Sequence, residues 1–102
     1  MPTHGRARET TIKALRNCEN FKRSGFGMWA TEGAVVSTGR LPSDFASMYA
    51  HSARVGNIAY TVVSYGTPIA WLLKDGSVII PDTKYSVTTT SHQNLCKVYL
   101  RQ

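Results

Sequence analysis

Ile58-Ala59-Tyr60-Thr61-Val62-Val63-Ser64-Tyr65-Gly66-Thr67-Pro68-Ile69-Ala70-Trp71-Leu72-Leu73-Lys74-Asp75-Gly76-Ser77-Val78-Ile79-Ile80 decides the fold class. Residues 58–65 are rich in β-branched and aromatic side chains and are apolar on both faces. That pattern predicts a central strand, covered at least in part on both sides. Gly66-Thr67-Pro68 interrupts the run. Pro68 lacks an amide hydrogen, so it belongs at a strand start, an edge or a bulge. Ile69–Leu73 resumes as a strand around Trp71. Lys74-Asp75-Gly76 is a tight hairpin signal, with Ser77–Ile80 as the return strand and Pro81-Asp82 as its end.

Upstream, Leu41-Pro42-Ser43-Asp44 reads as a helix start, with an early proline and an acid in the first turn. The helix runs to about Ala53. Phe45, Met48 and Tyr49 line one face, and Gly56 is a left-handed stop. Met28–Thr31 and Ala34–Thr38 read as two short strands joined by a Glu32-Gly33 hairpin, and Phe21–Gly27 as a glycine-containing loop. Thr10 to about Cys18 suggests a short amphipathic helix with Ile12, Leu15 and Cys18 inward, after a flexible tail over residues 1–7. Downstream, Tyr85–Thr90 reads as polar and extended, and Thr90 or Ser91 caps a last helix from about His92 to Leu100.

These elements predict one α+β domain over residues 8–102. An antiparallel sheet of three to five strands carries about three helices packed mainly on one face. The expected core is Ile12, Leu15, Trp29, Val35, Phe45, Met48, Tyr49, Ile58, Tyr60, Val62, Ile69, Trp71, Val78, Ile80, Leu95, Val98 and Tyr99. The chain has 102 residues, which fits a single small domain, and 42% of them are hydrophobic, which excludes a disordered polyelectrolyte. The longest apolar stretch, Ile58–Leu73, is broken by Ser64, Gly66, Thr67 and Pro68, so no membrane span is expected. Met1–Gly5 reads as a polar opening rather than a signal peptide.

Cys18 and Cys96 form no Cys-x-x-Cys pair and are expected as reduced thiols, with Cys96 in packing. His4, His51 and His92 are scattered, so neither a metal nor a cofactor is expected. The net charge is +6. Residues 1–23 hold six basic against two acidic side chains, a net +4. Arg6, Arg8, Lys13, Arg16, Lys22 and Arg23 are therefore candidate contacts to a polyanion, because clustered cations gain by displacing counterions from phosphates. A solvated, solubilising surface explains the same residues.

Tyr85, Ser86, Thr88, Thr89, Thr90, His92 and Gln93 form the candidate site for an anion or a partner. Hydroxyls ahead of a helix N-terminus that holds a histidine and a glutamine would suit a phosphate or carboxylate. Threonines that merely cap the helix explain the residue types as well. No paired carboxylates, phosphate loop, nucleophile elbow or metal motif appears, so no catalytic residue is assigned. A ribonuclease would have to use His92 as acid or base, with Tyr85 nearby and Arg40 or Lys84 on the phosphate.

Ser64-Tyr65-Gly66-Thr67-Pro68-Ile69-Ala70-Trp71 and Lys84-Tyr85-Ser86-Val87-Thr88-Thr89-Thr90-Ser91-His92-Gln93 together resemble small uncharacterised proteins of tailed bacteriophages, especially those infecting actinobacteria. Such proteins carry SYxTPIAW-like and YSxTTxxHQ-like segments, and Thr38-Gly39-Arg40-Leu41-Pro42 fits the same pattern. The likeness covers residues 38–95 best. The second motif here carries an extra threonine, TTTSHQ, which offsets the threonines by one. The resemblance implies a phage accessory protein acting in the host cytoplasm, without a settled activity. The leading expectation is a non-enzymatic protein that binds a host macromolecule, first of all a host protein, with toxicity to the host as a consequence. A nucleic-acid binder using the basic N-terminal segment and a small ribonuclease-type toxin are the alternatives.

Overall fold

Five strands pair in the order in which they occur in the chain. The computed structural model describes residues 3–23, 27–83 and 87–100, and the side chains of 10–22, 27–83 and 88–100 among them. The strands are β1 (Phe21–Arg23), β2 (Met28–Glu32), β3 (Ile58–Ser64), β4 (Thr67–Leu73) and β5 (Val78–Ile79), and the helices α1 (Thr3–Asn17), α2 (Ser43–Arg54) and α3 (Val87–Tyr99). Every neighbouring pair is antiparallel, with sheet order β1-β2-β3-β4-β5. The domain is therefore α+β, with a five-stranded antiparallel sheet and three helices.

Strand β3 is the middle strand, as its doubly apolar sequence requires. On one face, Tyr60, Val62 and Ala70 pack with Leu15 of α1 and with Leu95 and Cys96 of α3. On the other, Ile58 and Trp71 pack with Leu41 and with Tyr49 of α2. Two helices thus share one face and α2 covers the other. Alternation lets the strand serve both faces, and a register shift between Ile58 and Tyr60 lets Ile58, of the same parity as Tyr60 and Val62, join the second; a further shift lies between Val62 and Val63. Pro68 sits opposite Val63 at the second shift, where a missing amide hydrogen is tolerated. The β3–β4 turn has positive φ at both central residues, 49° at Tyr65 and 81° at Gly66. A two-residue hairpin needs this, because only that turn twist matches the strands. The Lys74-Asp75-Gly76 turn forms as expected: Gly76 N–H donates to the Leu73 carbonyl at 3.0 Å, and Ser77 N–H to Asp75 Oδ1 at 2.8 Å. The latter bonds hold the Asp75 carboxyl below its ordinary range.

Two helices end in the same way. Gly56, with φ 71°, donates to Ala53 O, and Asn57 to Ser52 O, which is a left-handed stop closing α2. At the end of α1 the same pattern uses Cys18 (φ 53°), with Cys18 N–H to Leu15 O and Glu19 N–H to Ala14 O. Glycine is the usual residue there. The sheet helps to hold the non-glycine version, because Tyr60 donates its hydroxyl to the Glu19 carbonyl at 2.6 Å.

Four sequence expectations are corrected. Helix α1 begins at Thr3 rather than Thr10, so residues 3–7, expected as part of a tail, are helical. The Glu32-Gly33 hairpin is absent: the chain leaves the sheet after Gly33 donates to Ala59 O, and Val35 N–H goes to the Tyr49 hydroxyl instead of a strand partner. Strand β2 pairs with Phe21–Arg23, part of the segment expected as a loop. Met48 and Val98, expected in the core, are exposed, while Met28, Ala30 and Val63 are buried.

Candidate functional site

The second motif contributes to α3, which starts at Val87, so its threonines do not precede the helix that holds His92. Thr89, His92 and Gln93 stand at i, i+3 and i+4 and form a buried polar face of α3. That face has tertiary partners, and these outweigh the tendency of threonine to cap rather than continue a helix. The Ser64 hydroxyl is 2.8 Å from His92 Nδ1 and 3.2 Å from Thr89 Oγ1, and Gln93 Nε2 donates to the Pro81 carbonyl at 3.0 Å. Thr88 is exposed and Thr90 half-buried, so they do not join the cluster. Tyr85 and Ser86, like Lys84, lie outside the described residues. His92 and Gln93, expected at the start of the last helix as part of an anion or partner site, lie inside α3 and are buried.

Above this cluster lies the β3–β4 turn. The Tyr65 ring, 58% exposed, stacks on the His92 ring with centroids 6.2 Å apart. Tyr65 N–H donates to Gly27 O at 2.8 Å. The Thr38–Pro42 segment reaches the same turn from the other side, with Arg40 N–H donating to Thr67 Oγ1 at 2.8 Å. Gly39 packs so closely that an added Cβ would come within 2.8 Å of Thr67 Cα. Residues 38–42, 64–71 and 87–93 therefore meet at one corner of the sheet. Hydrogen bonds account for Ser64, Thr67, Thr89 and His92, whereas the buried Trp71 Nε1 has no hydrogen-bond partner among the described residues.

The basic residues are arranged differently. Lys13 and Arg16 are exposed one turn apart on α1, and Lys22 is exposed on the adjoining edge strand β1, on the sheet face opposite the one where Phe21 packs with α1 and α3. Arg6 and Arg8 belong to the same helix, and Arg23 to β1. The Arg16 guanidinium carbon lies 5.2 Å from the centroid of the Tyr99 ring, which ties α1 to α3. Lys97 of α3 is 4.0 Å from Asp82, the one ion pair among the described residues. Counted by element, α1, β1 and α3 together carry net +6, whereas α2 is neutral and β2 to β5 carry −1. The sequence concentrated charge in residues 1–23; the fold adds the end of α3 to it, which spacing alone did not reveal.

Among the described residues no group of three or more His, Cys, Asp or Glu side chains is placed to hold a metal, and no helix is long and apolar enough to cross a membrane. Both cysteines are free thiols, and burial pushes the Cys96 thiol up to about 12. No curated protein and no solved structure matches the chain. Residues 16–98 match the model of a family of unknown function, DUF8033, and the chain belongs to that family.

Proposed function

We propose that this protein is a non-enzymatic binding module that engages a polyanion, with a nucleic-acid backbone as its occupant, through the face built by α1, β1 and α3. The observation that carries the reading is the segregation of charge: the three elements on this side hold +6 while the remaining elements are close to neutral. Lys13 and Arg16 are exposed there and Lys22 at the sheet edge beside it, and cations held on packed elements need less ordering on binding than cations on a loose arm. His92 is not assigned a catalytic role, because it is 3% exposed and shares its Nδ1 hydrogen bond with Ser64. The resemblance to phage proteins makes the host cytoplasm the proposed setting.

A protein partner is the second reading. Val36 is fully exposed before α2, and Met48 and Val55 are exposed on and just after it, away from the basic elements. Apolar side chains of this kind gain by being covered.

Fluorescence anisotropy with a labelled oligonucleotide separates the two. Replacing Lys13, Arg16 and Lys22 together by Gln lowers affinity about tenfold or more. Replacing Arg40, Arg54 and Lys74 by Gln leaves it within about twofold, although the same charge is removed. Equal losses in both variants, or no binding by the unaltered protein, would refute the polyanion reading.

A further inference from the structure

We infer that the groove on the outer side of α3 receives one unpaired base, which makes single-stranded nucleic acid, rather than duplex, the polyanion this protein takes; the inference rests on the polyanion reading above. The groove has a volume of about 220 Å³ and is lined by Ser91, Asn94, Leu95, Val98 and Tyr99. The first four stand at i, i+3, i+4 and i+7, so they form one stripe along the helix. Pockets for drug-sized ligands run to roughly 300–1,000 Å³. This one is smaller and matches a single ring system.

The lining has the chemistry of a base site. Leu95, Val98 and Tyr99 supply apolar wall for the faces of a planar ring, and Val98 is 55% exposed. Asn94 offers an amide donor and acceptor and Ser91 a hydroxyl, the groups that read a base edge. Arg16 lies over Tyr99 at the groove's margin, and Lys13 stands one turn away on α1, where the phosphates beside such a base would run. Charge complementarity is what selects this occupant over an apolar protein side chain, since the Arg16 guanidinium of α1 lies over Tyr99 of the lining. A duplex keeps its base faces stacked and cannot offer one to a groove of this size, whereas a single strand can.

Three labelled probes of equal length test this by anisotropy at one salt concentration: a single strand, the same strand without bases, and the same strand in a duplex. The single strand is expected to bind about tenfold more tightly than the abasic strand and the duplex. Asn94→Ala with Val98→Ala abolishes that preference while the affinity for the abasic strand is unchanged. Ser91→Trp, which fills the groove from an exposed position, does the same by another route, and circular dichroism confirms that each variant is folded. Equal binding of all three probes, or a preference that survives both variants, overturns the base site and leaves the polyanion reading standing. Failure of the unaltered protein to bind any probe removes both.

Discussion

Replacing Tyr49 by Phe removes one oxygen and, with it, a relay that fixes the loop after β2. Val35 N–H donates to the Tyr49 hydroxyl at 2.8 Å. Thr61 Oγ1 donates to the Gly33 carbonyl at 2.9 Å, so in the 2.8 Å contact between Tyr49 and Thr61 the tyrosine is the donor. The edge contact of the Tyr49 ring with Trp71, centroids 4.9 Å apart, survives in phenylalanine. Tyr49→Phe therefore loses two hydrogen bonds and almost no packing, about 2 kcal/mol at ~1 kcal/mol each. Thr61→Val loses two as well, one of them shared. The double variant loses three bonds, so it costs about 3 kcal/mol rather than 4, a coupling of about 1 kcal/mol. Urea unfolding of the four proteins, at constant m-value, measures this directly. On heating, Tyr49→Phe should lower Tm by roughly 8–16 °C. Additivity within ~0.3 kcal/mol, or a cost of Tyr49→Phe below ~0.5 kcal/mol, would refute the relay.

Other consequences are checkable with the same purified protein. Gly39→Ala combines a left-handed backbone (φ 53°) with a Cβ driven into Thr67, and should cost about 3 kcal/mol or more, whereas Gly56→Ala, at φ 71° but in open space, should cost about 1 kcal/mol in urea unfolding. Stability should fall on the alkaline side, because burial raises the Cys96 thiol from its ordinary value of 9.0 to about 12 and raises the Tyr60 phenol further still. With folded values above unfolded ones, the contribution is complete below pH 9.0 and is lost as pH climbs towards 12; Cys96→Ala should delay the onset to near 10, where Tyr60 begins to count, as read from Tm against pH. Ser64→Ala takes a hydrogen bond from buried His92 and from buried Thr89 and should cost about 1–3 kcal/mol, measured by the same unfolding curves.

Much of the sheet was legible because its signals are local. The Lys74-Asp75-Gly76 turn, the doubly apolar β3 and the Gly56 stop each follow from residue types within a few positions. The elements that were misread depend on partners distant in sequence. The β1 strand exists because Phe21 lies opposite Ala30 and Lys22 opposite Trp29, a pairing no window around 21–23 displays. The threonines of α3 look like caps, yet Ser64 and Pro81 supply the bonds that let Thr89 and Gln93 lie inside a helix. Val98 keeps helical spacing with Leu95 but falls on the groove side of α3, and periodicity alone does not say which side of an apolar stripe meets the sheet. For the candidate site, the cluster of cations was visible in the sequence. Its continuation onto α3 through Arg16 and Tyr99 needed the fold.

The salt dependence of binding tests the central claim most directly. If Lys13, Arg16 and Lys22 each neutralise one phosphate of a single strand, the plot of log Kobs against log salt has a slope of about −2, and Lys13→Gln with Arg16→Gln reduces its magnitude by about 1.4. A flat plot for the unaltered protein, or a slope the double variant leaves unchanged, would mean that the α1–β1–α3 face does not hold a nucleic-acid backbone.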